Sequence, residues 1–219
     1  MYNIEKRSQS VIIGDQTGIG KGRQAAAMIR YGLLSGYIPV FFTDRYTLFS
    51  DMYRDCKVLG IKDARPLVVN SGASVVDFDN IIKEKEPDTY DEIWSPAEDD
   101  SEKFEAELMK RYQNQYEVVF RAPKKNILQE IFKKGDIPSE SYDYLMVTYS
   151  QLKDARRDMT RLDFLRLLCK NNRVLFIFDE AHRSSSVSAG KISVITQGIN
   201  MILAETPQTQ CVFLSATFA

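Results

Sequence analysis

Apolar residues in this 219-residue chain fall in short, dense blocks separated by segments of helical spacing. Val11-Ile12-Ile13, Ile38 to Phe42, Pro66 to Val69, Tyr144 to Tyr149, Arg173 to Phe178 and Gln210 to Leu214 are the blocks. They show little polar alternation, which is the pattern of strands covered on both faces of a parallel sheet. Lys21 to Leu34 has helical length and ends near Gly36, and Thr47 to Leu59 places Leu48, Met52, Tyr53 and Cys56 at helical spacing before Gly60. Arg161 to Cys169 and Lys191 to Ala204 read as further helices, the second after a Ser/Gly-rich loop, Ser184 to Gly190. Strands alternating with helices predict an α/β fold with a mostly parallel sheet covered by helices on both faces. Val11 to Ile13 is expected to be one of its buried strands.

The middle of the chain departs from this order. From Asp77 to about Glu107 it is acidic and reads as loop, with Lys83 to Glu92 and Ala97 to Glu102 as examples and Trp94 as the single tryptophan. Phe104 to Tyr112 then reads as a helix, Tyr116 to Phe120 as a strand, and Lys125 to Lys134 as a helix closed by Gly135. About 72–139 is therefore expected to be partly an insertion on the core sheet. It is either a solvated excursion or an element that gates a partner or substrate.

Composition sets limits. Hydrophobic residues at 44% and charged residues at 27% are ordinary for a globular domain, and the net charge of −1 gives no bulk attraction to nucleic acid or to an anionic membrane. Any polyanion-binding surface must be local. Cys56, Cys169 and Cys211 stand apart in apolar runs without metal or disulfide spacing, so they read as core thiols in a reducing compartment. No run has membrane-spanning length, and the apolar stretch after Met1 to Arg7 is too short for a signal peptide. An intracellular protein is expected, cytoplasmic or, in a eukaryote, nuclear.

The candidate chemistry begins after the first apolar block, at Gly14-Asp15-Gln16-Thr17-Gly18-Ile19-Gly20-Lys21-Gly22-Arg23. A glycine-rich turn between strand and helix aims successive backbone N–H groups, backed by a helix N-terminus, at one spot that suits a phosphate. Lys21 adds a charge that reaches the outer phosphates. The second element is Phe176-Ile177-Phe178-Asp179-Glu180-Ala181-His182. An apolar strand ending on two carboxylates delivers them to the crevice where open α/β sheets bind ligands. In a nucleoside triphosphatase Asp179 would hold Mg2+ and Glu180 would polarise the attacking water. Without the glycine loop the same pair would read as an acidic helix start. The third element is Leu214-Ser215-Ala216-Thr217, a strand end with two hydroxyls. His182, the single histidine, is expected to hydrogen-bond Ser215 or Thr217 and to couple ATP turnover to the polymer.

These elements, G-I-G-K, D-E-A-H and S-A-T, stand in that order at successive strand ends. In this the chain resembles the first RecA-like lobe of superfamily 2 helicases and translocases of the DEAD/DEAH type. More narrowly, Gly14 to Arg23 resembles the strawberry notch family, whose loop reads G-D-G-x-G-V-G-K-G-R. Val147-Thr148-Tyr149-Ser150-Gln151-Leu152 is similar to that family's strand ending in T-Y-x-x-L, and Val40 to Asp44 occupies the place of motif Ia. The resemblance covers the lobe outside the acidic middle.

The resemblance implies a RecA-like P-loop three-layer fold over 1–219, with ATP and Mg2+ as cofactors. It implies nucleotide contacts from Thr17, Gly18, Ile19, Gly20, Lys21, Gly22 and Arg23. Arg23 could cap the phosphates or extend a solvated helix face, and these readings stand level. Lys21, Glu180 and His182 form the expected catalytic set, Asp179 the metal ligand, and Ser215, Ala216 and Thr217 the coupling motif. Thr43, Arg45, Thr148 and Ser150 are implied contacts to a nucleic-acid backbone, giving register without sequence specificity. Phe41, Phe42, Tyr46 and Tyr149 read as core.

Two positions depart from the usual phosphate loop. Gly22 stands where Ser or Thr normally offers Mg2+ a hydroxyl, so water, Thr17 or another group must serve. The strawberry notch pattern has this glycine too. Asp15 opens the G-x-x-x-x-G-K window in place of glycine. No second helicase lobe is expected within the chain, nor the upstream glutamine loop that reads adenine. The lobe by itself should bind ATP weakly and hydrolyse it poorly. The leading expectation is the ATP-hydrolysing lobe of a DNA helicase or translocase motor, partnered by nucleic acid (DNA before RNA) and a second RecA-like lobe. The alternatives are a nucleotide-dependent switch that docks a protein through the acidic insertion, and an RNA helicase.

Overall fold

The computed structural model describes residues 10–14, 20–82, 101–152, 160–181 and 194–215. Six strands form one sheet: β1 (Ser10–Gly14), β2 (Ile38–Thr43), β3 (Pro66–Val68), β6 (Tyr144–Thr148), β7 (Val174–Phe178) and β8 (Gln210–Ser215). Their order is β1-β8-β7-β2-β6-β3, and every neighbouring pair is parallel. This is the expected α/β architecture. Right-handed crossovers through helices are the economical way to join parallel strands.

Period-two alternation splits each central strand between two cores. Phe41, Tyr144, Met146, Leu175 and Ile177 pack with α1 (Lys21–Leu34) and α2 (Leu48–Val58). Val40, Phe42, Leu145, Val147, Phe176 and Phe178 pack on the opposite face with α4 (Lys125–Lys134), α5 (Arg161–Asn171) and α6 (Val194–Glu205). The second face carries a row of nearly parallel rings. Phe42 stacks on Phe178 at 4.7 Å and Phe178 on Phe213 at 4.9 Å, with Tyr149 beyond Phe42 at 6.4 Å. Cys56, Cys169 and Cys211 are free and buried, and burial pushes each thiol up to about 12. No helix among the described residues is long and apolar enough to cross a membrane.

Two expectations need correction. β1 is not buried: Val11 is 56% and Ile12 63% exposed. The strand stands at the edge of the sheet with β8 as its one neighbour there. The acidic middle is also not loop at residues 77–81 and 101–107, while Trp94 and the rest of 83–100 lie outside the described residues. β4 (Ser74–Ile81) pairs antiparallel with β5 (Tyr116–Arg121), and α3 (Ser101–Gln115) precedes β5. Val76 packs with Met109 and Tyr116, and Phe78 lies edge-on to Tyr112 and Tyr116. The acidic residues between these apolar positions hid their strand period. Asp77, buried within β4, is paired with Lys57 of α2 at 2.7 Å. That ion pair and the Val76 N–H, which donates to Ser50 Oγ at 3.1 Å, fasten the small sheet to α2. α4 by contrast packs its Leu128, Ile131 and Phe132 into the main core.

Candidate nucleotide site

Strand register assembles the site before any side chain is considered. Gly14 pairs with Ser215, Phe178 with Phe213 and with Phe42, and Thr43 with Thr148. The start of the glycine-rich loop, the Ser215 strand end, the Asp179-Glu180 turn and Thr43 therefore lie in one line along the C-terminal edge of the sheet. That edge is where open α/β sheets bind their ligands.

Gly20 starts α1 in the left-handed region at φ 82°, a conformation that suits glycine. No acidic residue lies in the first turn of α1, and no side chain caps it. Helix geometry leaves the N–H groups of that turn without intrahelical partners, so the end is prepared for an anion. Lys21 reaches from it to Glu180, with Nζ 2.9 Å from Oε1.

Asp179 follows the last pleat of β7, so alternation turns it to the α1 face, opposite Phe178. Its N–H donates to the Phe42 carbonyl at 2.9 Å, and Tyr149 donates its hydroxyl to the Asp179 carbonyl at 2.6 Å. Thr43 donates to Asp179 Oδ2 at 3.4 Å. Burial, and then the charge of Glu180, raise the Asp179 carboxyl above its usual range. A regular strand would send the next side chain to the other face. Glu180 instead has φ 47°, the sole non-glycine residue at positive φ among those described, and it lines the same cavity as Asp179. That conformation costs a non-glycine residue about 1–2 kcal/mol, and its result is two consecutive carboxylates at one site.

The cavity measures about 980 Å³, at the upper end of small-ligand sites. Gly20, Lys21, Gly22, Arg23, Asp179 and Glu180 line it, together with Asp51, Arg54 and Asp55 of α2. Arg23 is exposed and on the cavity wall, so both of its readings stay compatible with its position. The donor set fits a magnesium nucleotide. Asp179 supplies a hard carboxylate beside the lysine and the helix start. Among the described residues no group of three acidic, His or Cys side chains could hold a metal alone. A cation here would share its coordination with phosphate oxygens, as Mg2+ commonly does.

Two of the implied nucleic-acid contacts are corrected. Thr43 and Thr148 are buried at 0% and 1% exposure, so a polymer backbone cannot reach their hydroxyls. Thr43 serves Asp179, while Thr148 accepts from Asn70 Nδ2 at 2.8 Å and lies 2.9 Å from Ser150 Oγ. Arg45 and Ser150 are exposed on the same edge. Ser215 is buried at the end of β8. Thr17, Gly18, Ile19, His182, Ala216 and Thr217 lie outside the described residues. Sequence reasoning missed Asp55 and the Tyr149 hydroxyl. Tyr149 is a core ring as expected, but its phenol also fixes the carbonyl of the metal-binding candidate. Nothing in a one-dimensional pattern signals either contact.

No curated protein matches the chain. The family model described as type III restriction enzyme, res subunit, matches residues 103–219. The matched segment holds β7 with Asp179-Glu180 and β8 with Ser215, while the glycine-rich loop precedes it and is tied to it by the β1–β8 pairing. With more than half of its residues matched, the chain belongs to the res subunit family of type III restriction enzymes, and with it to the first lobes of superfamily 2 helicases.

Proposed function

We propose that this chain is the ATP-hydrolysing lobe of a motor that moves along DNA, turning ATP and water into ADP and phosphate. One observation carries the reading: Lys21, Asp179 and Glu180 converge on one cavity at the start of α1. The N–H groups of the first turn of α1 and Lys21 bind the phosphates, and Arg23 stands at the cavity mouth for the outer ones. Asp179 holds Mg2+, which would neutralise charge shifting between phosphate oxygens. Glu180 orients and polarises the attacking water. The buried Tyr149 and Thr43 keep the Asp179 turn in place. The loop sequence with Gly22 after the lysine supports the narrower strawberry notch reading.

Nucleic acid runs over Arg45 and Ser150, which stand exposed beside the site. A second RecA-like lobe supplies the opposite wall of the ATP cleft. His182, Ser215, Ala216 and Thr217 pass the nucleotide state to the polymer. The excursion from the core comprises β4, α3 and β5.

The test is Glu180→Gln in the full-length protein. The variant should bind ATP at least as tightly as the parent and lose DNA-stimulated hydrolysis by about a hundredfold or more, as for removal of a group that stabilises transition-state charge. Normal turnover would sink the assignment of Glu180. In the parent, stimulation by RNA alone would make the motor an RNA helicase. Stimulation only by a protein partner would favour the nucleotide-dependent switch.

A further inference from the structure

We propose that Asp55 replaces the missing loop hydroxyl as the second protein ligand of the nucleotide's divalent cation. The inference rests on the nucleotide reading given above and deepens it. A side chain at Gly22 would meet one group: a Cβ there would collide with Asp55 Oδ2, which would have to shift. The carboxylate of α2 thus occupies the space that a Ser or Thr side chain would fill after Lys21. It is not a surface acid. Asp55 is 7% exposed, yet it lines the same cavity as Lys21, Asp179 and Glu180.

Its position poses an electrostatic problem. The first turn of α1 attracts a phosphate, and Asp55 puts a fixed negative charge against that turn. Two anions cannot share the spot without a cation between them. Arg54, which also lines the cavity, donates from Nε and Nη2 to Asp55 Oδ1 at 3.3 Å and from Nη1 to Asp51 at 2.9 Å, while Oδ2 is the oxygen turned to Gly22. A divalent ion there would lie between that oxygen and the phosphates. Mg2+ sites in phosphate chemistry typically use one or two carboxylates plus substrate oxygens, and Asp55 with Asp179 gives that number. The exchange of a neutral hydroxyl for a carboxylate has a signature. Without metal, Asp55 repels ATP; with metal, it holds the ion more strongly than a hydroxyl would.

The experiment measures binding of a fluorescent ATP analogue to the full chain in EDTA and across a Mg2+ titration, with Mn2+ paramagnetic resonance as a second readout. The variants are Asp55→Ala, the same-shape Asp55→Asn, Gly22→Ser, and Gly22→Ser with Asp55→Ala. For both Asp55 variants the Mg2+ concentration at half-maximal binding should rise tenfold or more, and Mn2+ bound with nucleotide should fall. Binding in EDTA should hold or tighten. Gly22→Ser alone should weaken binding, and the double variant should recover the parental Mg2+ dependence, because the serine hydroxyl then stands in the vacated space. A merely structural Asp55 would lower binding equally with and without Mg2+, and that result overturns the proposal, as does a Mg2+ midpoint within twofold of the parent. If the parent bound no ATP under any metal condition, the nucleotide reading itself would fall, and this proposal with it. Parental binding with an unchanged Asp55→Asn midpoint sinks this proposal alone.

Discussion

The two faces of the parallel sheet are built from the same strands and do opposite work. On the α1/α2 face, Asp179 and Glu180 at the end of β7 and Lys21 at the start of α1 meet in one cavity. On the α4/α5/α6 face, the alternate residues of those strands make a dry aromatic layer, Tyr149-Phe42-Phe178-Phe213. Phe178 and Asp179 are adjacent in sequence and belong to different faces. The difference teaches that precision at the reactive face is supplied from behind. Carboxylates that must hold one geometry sit at the end of strands whose other side is packed too tightly to shift. Tyr149 crosses between the faces: its ring lies in the aromatic layer and its hydroxyl reaches the Asp179 carbonyl.

This contrast can be broken from either side. Phe178→Ala should have the largest effect on stability, about 3–5 kcal/mol by denaturant unfolding, because it removes a fully buried ring between two stacked neighbours. Lys21→Ala should weaken ATP binding by about a hundredfold, roughly 2.7 kcal/mol, in a nucleotide titration while the unfolding midpoint hardly moves. Equal loss of stability in both variants would show that the faces are not separable. Thr160→Ala, at the start of α5, should cost about 1 kcal/mol and leave nucleotide binding alone. Its hydroxyl and the Asp163 carboxylate form a reciprocal cap. The Thr160 hydrogen bonds hold the Asp163 carboxyl below its usual value. The cap's contribution is therefore present above the ordinary carboxylate range and lost as pH falls through the depressed value. Thr160→Ala should flatten that acid limb in an unfolding-versus-pH series. An unchanged limb would remove the carboxylate from the cap.

Much of this arrangement is legible in the sequence, for physical reasons. Parallel strands buried on both faces leave unbroken apolar blocks, and Arg173 to Phe178 shows both β7 and the carboxylates at its end. The glycine at the start of α1 and Gly135 after α4 mark left-handed positions that few residues fill. What stayed hidden depends on neighbours far along the chain. Burial at β1 depends on which strand ends up at the edge. β4 hid because Asp77, which Lys57 neutralises, reads as solvent-facing until α2 is beside it. Thr43 and Thr148 looked like surface hydroxyls because a strand end does not reveal whether a carboxylate or an asparagine waits opposite. Asp55 is one of two acids on α2, with Asp51, and only the packing of α2 on α1 sets it apart.

The 2.9 Å pair between Lys21 and Glu180 has a consequence for timing. While it lasts, the lysine is engaged by an anion of its own chain, and one oxygen of the carboxylate faces an ammonium instead of water. On the proposed reading, an arriving phosphate would draw the lysine away and so free that oxygen of the proposed base. Loading the fuel and arming the base would then be a single event.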